Sequence, residues 1–144
     1  MLPKCFREQV EFLESRGDLI RIKKTVSPRF EVAAVAKKLD PGPAVMFESV
    51  EGHDMPVVIG TDGDRNRIAA SLGVSPLNLA EKYAEAIENP IAPEVVDDGP
   101  VKEVRIEGPL DHMSELPILT HYERDGGPYL TTGIVVAEDP ERGI

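Results

Sequence analysis

Helical and strand periodicities alternate along the first part of the chain. Between residues 4 and 16, three apolar side chains spaced i, i+4 and i+7 predict an amphipathic helix: Phe6, Val10 and Leu13. Gly17 follows this helix, and we expect it to act as the C-cap. Residues 18–26 then alternate apolar and charged side chains, which is typical of a half-exposed strand.

The next segments repeat this order of helix and strand. Ser27 and Pro28 are expected to cap and open a second helix, which the prolines around Gly42 end. Two short apolar runs, at 44–47 and 57–59, predict strands. The pattern therefore indicates a small sheet with helices packed against it.

Two further helices are predicted before residue 90. The first follows the Gly-rich turn at 60–63, enters at Asp64 and is closed by Gly73. The second begins at Ser75 and Pro76, extends to about residue 89 and should turn one apolar face inward. That face consists of Leu77, Ala80, Ala84 and Ile87. Strands alternating with helices in this way predict a layered α/β unit.

The composition changes after residue 90. Residues 90–100 contain three prolines and a glycine, cannot continue a helix and are interpreted as a connector. A short strand is predicted at 102–107. We expect a domain boundary near residue 105, with an α/β domain at 1–105 and a second, β-rich domain opening at 106–144.

The segment 116–144 has the pattern of a shaped loop that leads into a strand. A polar run with His121, Arg124 and Asp125 precedes the Gly126-Gly127-Pro128 break, and residues 129–137 predict a strand. Turn-forming residues follow at 138–143. Because a strand needs a partner for its backbone groups, we expect the chain to be the front part of something larger.

Charge and composition exclude several classes of protein. The 16 basic and 26 acidic residues give a net charge of −10, which disfavours binding to nucleic acid or to an anionic membrane. Cys5 is the only cysteine, so no internal disulfide can form. Without a signal peptide or an apolar stretch long enough to span a membrane, a cytoplasmic location is expected.

Candidate chemistry in the residues themselves is sparse. The turn at 60–67 could offer backbone N–H groups to an anion, but Asp62 and Asp64 would repel a phosphate, and a purely structural turn is favoured. Of the three histidines only His121 lies in the loop at 116–128, where local hydrogen bonding is the favoured role. Residue chemistry alone stops at an α/β domain followed by a β-rich segment.

Three stretches resemble the UbiD family of decarboxylases. LPILTHYERDGGPYLTTGIVVAEDPERGI, at 116–144, resembles the segment with which that family enters its cofactor domain. GTDGDRNRIAASLGV, at 60–74, and FREQVEFLESRGDLIRIKKTV, at 6–26, are similar to patterns of its N-terminal domain. The resemblance implies an α/β N-terminal domain followed by the first strands of a split β-barrel flavin-binding domain.

The activity that the resemblance implies is the removal or addition of CO2 on an aromatic or α,β-unsaturated carboxylic acid. The implied cofactors are prenylated FMN, Mn2+ and K+, and the implied assembly is a homo-oligomer. The family's metal-binding asparagine and catalytic glutamates and arginine match no position here, so we expect this chain alone to be inactive. Two alternatives stay open: a separate small subunit that completes a flavin-bearing partner, and a non-catalytic binding module.

Only one part of the family's cofactor site can be carried over to this sequence. Thr131 falls where family members place a threonine close to the flavin, with Thr132 and Gly133 beside it. Tyr129 and Asp125 are expected to shape the approach to this segment. A β-strand threonine without a ligand is the alternative role for Thr131.

Overall fold

The computed structural model describes residues 2–109, 112–134 and 139–141. The helices are α1 (Phe6–Ser15), α2 (Glu31–Leu39), α3 (Arg65–Ser71), α4 (Leu79–Glu88) and α5 (His112–Glu115). The strands are β1 (Leu19–Ile22), β2 (Ala44–Phe47) and β3 (Val57–Ile59). Short 3-10 turns lie at Pro76–Asn78 and Pro100–Lys102. The predicted mixed α/β class is confirmed.

The three strands form one mixed sheet in the order β1-β2-β3. β1 and β2 are parallel, with Leu19 opposite Ala44, whereas β2 and β3 are antiparallel, with Val45 opposite Ile59. A parallel pair requires a crossover connection, and α2 supplies it. The central strand β2 is therefore paired along both of its edges.

Alternate residues of β2 belong to two apolar clusters on opposite faces of the sheet. One cluster contains Val45 and Phe47 with side chains from α2 and its flanks. The other contains Ala44 with Val10 and Leu13 of α1. The architecture is thus three layers, with α1 and α2 on either side of the sheet.

The second helix begins later than the sequence predicts. Ser27 does not act as its N-cap, because the helix starts at Glu31 and the residue before it, Phe30, has φ of 70°. Such a φ is unusual for a residue with a side chain and requires support from neighbouring structure. Here the Phe30 N–H donates to the carbonyl of Thr120, at 2.8 Å. A contact far along the chain therefore sets the start of this helix.

Two predicted strands are absent from the described residues. Residues 102–107 form the end of a 3-10 turn and then an irregular segment, with Val104 79% exposed. Residues 129–134 form no strand either, and 135–137 lie outside the described part of the chain. Both segments have strand-like composition, but no other described strand pairs with them, and an isolated strand is not stable. The β-barrel expected after residue 106 is therefore not seen in the described residues.

Candidate functional site

The loop at 119–129, here called the anchored loop, begins in the core of the α/β unit. Leu119 is 9% exposed and belongs to the same apolar cluster as Phe47. The next residue, Thr120, forms a parallel bridge with Arg29, in which the Thr120 N–H donates to the carbonyl of Pro28, at 3.2 Å. One apolar contact and the bridge therefore fix the start of the loop.

Side-chain and backbone contacts close the anchored loop on itself. The Oδ2 atom of Asp125 accepts hydrogen bonds from the N–H groups of His121, at 3.2 Å, and of Tyr122, at 2.8 Å. At the base, the Tyr129 N–H donates to the carbonyl of Leu119, at 3.1 Å. The rings of His121 and Tyr129 lie 5.0 Å apart between centroids. The backbone of His121 takes part in this bonding, whereas its buried Nδ1 atom has no hydrogen-bond partner among the described residues, so the side-chain hydrogen bonding expected for His121 is not seen.

The three predicted cofactor residues follow directly after this loop. Thr131, Thr132 and Gly133 are exposed and belong to neither a helix nor a strand. A Cβ built on Gly133 would meet only the Leu130 Cβ, at 4.0 Å. Two free-standing hydroxyl groups beside a glycine with open space fit a group that must approach the backbone closely, as a flavin or its phosphate does. The three residues are neighbours in the sequence, and the described part of the structure does not enclose them.

A groove of about 470 Å³ lies between α2 and the anchored loop. Its lining consists of Phe30, Ala33, Ala34, Lys37, Lys38, His121, Tyr122 and Glu123. The lining is largely apolar and carries two lysines and one glutamate, and Lys37 is paired with Asp40, at 3.3 Å, so the groove suits an apolar body without a strong preference for negative charge. Sequence reasoning missed this groove, because it forms only when the loop packs against a helix that is distant in the sequence.

The turn at 60–67 has the structural role that the sequence favours. Arg67 is 9% exposed, and its guanidinium donates to the carbonyls of Gly42, at 2.7 Å, and Gly60, at 3.0 Å. These two bonds join the segment before β2 to the residue that follows β3. The Arg67 guanidinium is thus used within the fold.

Asp64 caps α3 as predicted. Its Oδ1 atom accepts from the N–H of Asn66, at 2.6 Å, and of Arg67, at 3.3 Å. These bonds hold the pKa of the Asp64 carboxyl below its ordinary value of 3.8, and the bond from Asn66 has the larger effect. Because the pKa is lower in the folded state, the charged carboxyl stabilises the fold at any pH above the pKa of the unfolded state. This contribution is lost as the pH falls through the pKa of the folded state.

We therefore expect Asp64→Ala to lower the free energy of unfolding at neutral pH, because two N–H groups lose their acceptor. The difference from the wild type should shrink as the pH falls below 3.8. Urea unfolding at a series of pH values measures it, with Asp54→Ala, at an exposed aspartate, as the control. A difference that stays constant with pH would show that the charged cap is not its cause.

The remaining histidines and acidic residues form no metal site in the described part of the chain. No group of three or more His, Cys, Asp or Glu residues there could hold a metal ion. His53 is half-buried and itself forms an antiparallel bridge with Val50, and the side chain of His112 lies outside the described residues. The described residues therefore do not fit a manganese site.

In the described residues, no helix has the length and apolar character needed to cross a membrane.

Comparison with known proteins identifies a family, which the geometry of the site alone does not. Residues 10–87 match the family model of the 3-octaprenyl-4-hydroxybenzoate carboxy-lyase N-terminal domain, and residues 94–144 match its Rift-related domain. Anhydromevalonate phosphate decarboxylase of Methanosarcina mazei is 39% identical over 137 residues, which are 92% of this chain and 30% of that protein. The chain thus spans about a third of the length of this relative.

Solved structures resemble the whole described fold. An evolved dimeric form of the UbiD-class enzyme HmfF from Pelotomaculum thermopropionicum, in complex with prFMN, matches with a TM-score of 0.90 and 44% identity, covering 96% of this chain and 33% of that one. Vanillic acid decarboxylase of Sedimentibacter hydroxybenzoicus matches with a TM-score of 0.86 and 31% identity, covering 98% and 32%. In both, the matched part is about a third of the larger chain.

Proposed function

Because the chain belongs to the UbiD family of carboxy-lyases, we propose that it serves an enzyme that removes CO2 from, or adds it to, an aromatic or α,β-unsaturated carboxylic acid. The observation that carries this proposal is the match of both family models, in order, along one chain. The solved relative with bound prFMN supports the same cofactor here. When bound, this flavin supplies the acceptor for the electron pair that departing CO2 leaves behind.

Within this proposal, residues 131–133 contribute to the flavin site. The hydroxyl groups of Thr131 and Thr132 can donate to, or accept from, polar atoms of the cofactor, and Gly133 leaves room for its approach. We place the N-terminal α/β domain at 1–105 and the start of the flavin domain at 106–144. The Mn2+ and K+ ions, homo-oligomer formation and a cytoplasmic location remain predictions from the resemblance.

A direct experiment tests the function. The native protein that carries this sequence is purified, supplied with prenylated FMN, and incubated with aromatic and α,β-unsaturated acids while CO2 release is measured. We expect flavin binding and CO2 release from at least one acid. Purified protein that binds no flavin and releases no CO2 would overturn the proposal. A larger flavin-bearing chain that copurifies with a 15.7 kDa chain would favour the alternative role of a completing subunit.

Replacing Thr131 by valine tests its proposed place at the cofactor. Valine keeps the shape and removes the hydroxyl, so we expect FMN affinity to fall about fivefold, the value of one modest hydrogen bond. Flavin fluorescence titration of the native protein measures the affinity. Thr25→Val, which removes another exposed hydroxyl from a different part of the chain, should leave it unchanged. Equal affinities for the two variants would show that Thr131 does not contact the flavin.

A further inference from the structure

We infer that the anchored loop is a positioning element that sets where residues 131–133 meet the flavin, and that Asp125 and Tyr129 act through this loop. The inference rests on the proposed function, because it assigns residues 131–133 to the cofactor. It assigns Asp125 and Tyr129 no contact with the cofactor themselves.

The start of the anchored loop is fixed. Leu119 is packed in the cluster that also contains Phe47, and Thr120 is bridged to Arg29 through backbone hydrogen bonds. Phe30, next to that bridge, is held at a φ of 70°. The start of the loop is thus held by one buried apolar side chain and by backbone hydrogen bonds to the residues before α2.

The far end of the anchored loop is tied to its start. The Tyr129 N–H is bonded to the carbonyl of Leu119, so the two ends of the loop lie side by side. Thr131 comes two residues after Tyr129, and two residues span at most about 7 Å of extended chain. The placement of Tyr129 therefore limits where the Thr131 hydroxyl can lie.

The anchored loop also needs a brace inside it. Gly126 and Gly127 have open space around them and permit backbone angles that other residues avoid, which would let the loop change shape. Asp125 directly precedes them, and one of its oxygens holds two N–H groups on the opposite arm. The contact between the His121 and Tyr129 rings joins the same two arms. A site that holds a cofactor needs its groups placed to within about 0.5 Å, and these contacts supply that restraint.

The experiment compares variants of Asp125 in the native protein, with FMN as the probe. Asp125→Ala removes the acceptor, whereas Asp125→Asn keeps an oxygen that can receive both N–H groups. Glu115→Ala, at an exposed position that precedes the loop and does not line the groove, removes an equal charge without touching the brace and is the matched control. For each variant we measure FMN affinity, the absorption spectrum of the bound flavin, and resistance to urea.

The expected result is a loss of FMN affinity of about tenfold for Asp125→Ala, since one to two net hydrogen bonds are worth that factor. Asp125→Asn should restore affinity to within about twofold, and Glu115→Ala should match the wild type. The spectrum of bound flavin should shift in Asp125→Ala alone, a change that a loss of stability would not produce. If Asp125→Ala does not fold, Tyr129→Leu replaces it, because that ring is 43% exposed and its removal leaves the core intact.

The results that would contradict the inference differ from those that would contradict the proposed function. Unchanged affinity and spectrum in Asp125→Ala, or in Tyr129→Leu, would overturn the inference while the proposed function stands. Equal losses in Asp125→Ala and Glu115→Ala would overturn it as well, because charge rather than the brace would be responsible. A wild-type protein that binds no flavin would overturn the proposed function, and this inference with it.

Discussion

Replacing Phe47 by alanine is expected to lower the free energy of unfolding by about 3–5 kcal/mol. Phe47 ends the central strand β2, has no exposed surface, and lies in the apolar cluster that joins the sheet to α2. Its truncation removes the largest fully buried side chain and leaves a cavity that the packed neighbours can only partly fill. Since domains of this size have a total stability of about 5–15 kcal/mol, the loss is severe.

Urea unfolding followed by circular dichroism measures this loss. Phe6→Ala is the matched control, because the same ring is 57% exposed on α1 and should cost less than about 1 kcal/mol. Equal destabilisation by the two variants would mean that the cluster around Phe47 does not hold the fold together.

The same cluster links stability to the candidate site. Leu119, the first residue of the anchored loop, packs in the cluster that contains Phe47. A cavity at Phe47 would therefore loosen the start of the loop as well as the sheet. Residues in one packed cluster are expected to show non-additive effects when both are mutated. The anchored loop and the core thus depend on the same group of side chains.

Local patterns were sufficient to predict most helices and strands of the α/β unit. The runs at 44–47 and 57–59 coincide with β2 and β3, and Asp64 caps α3 as expected. These features depend on alternation of apolar residues and on capping chemistry, which act over a few residues. The sequence pattern therefore predicts helices, strands and caps correctly where interactions between residues close in sequence determine them.

Contacts between distant residues could not be predicted in this way. The bridge of Arg29 with Thr120 joins positions about ninety residues apart, and it changes the start of α2 and creates the groove beside it. Nothing in the periodicity around Ser27 indicates that a loop will pair there. At residues 129–134 the sequence predicts a strand that does not form. The composition favours a strand there, but no strand of the described sheet pairs with this segment.

The apolar face of α4 shows a further limit of sequence patterns. The helix forms where it is predicted, yet Tyr83 is 70% exposed and Ile87 is 63% exposed. Leu77, in the 3-10 turn before it, is 90% exposed. Periodicity identifies a face that favours burial, but it does not say which surface will cover it.

Replacing Arg67 by methionine is expected to lower the free energy of unfolding by about 2–4 kcal/mol, because the carbonyls of Gly42 and Gly60 lose a charged donor while methionine keeps the packing. Arg67→Lys should give an intermediate loss, since one ammonium group cannot reproduce a fork that reaches two carbonyls. Urea unfolding measures both, with Arg7→Met, at an exposed position of α1, as the control. If Arg67 instead served an anion, its replacement would leave stability near that of the control and phosphate would stabilise the wild type alone. The two buried hydrogen bonds predict the reverse, a fold that depends on Arg67 whether or not phosphate is present.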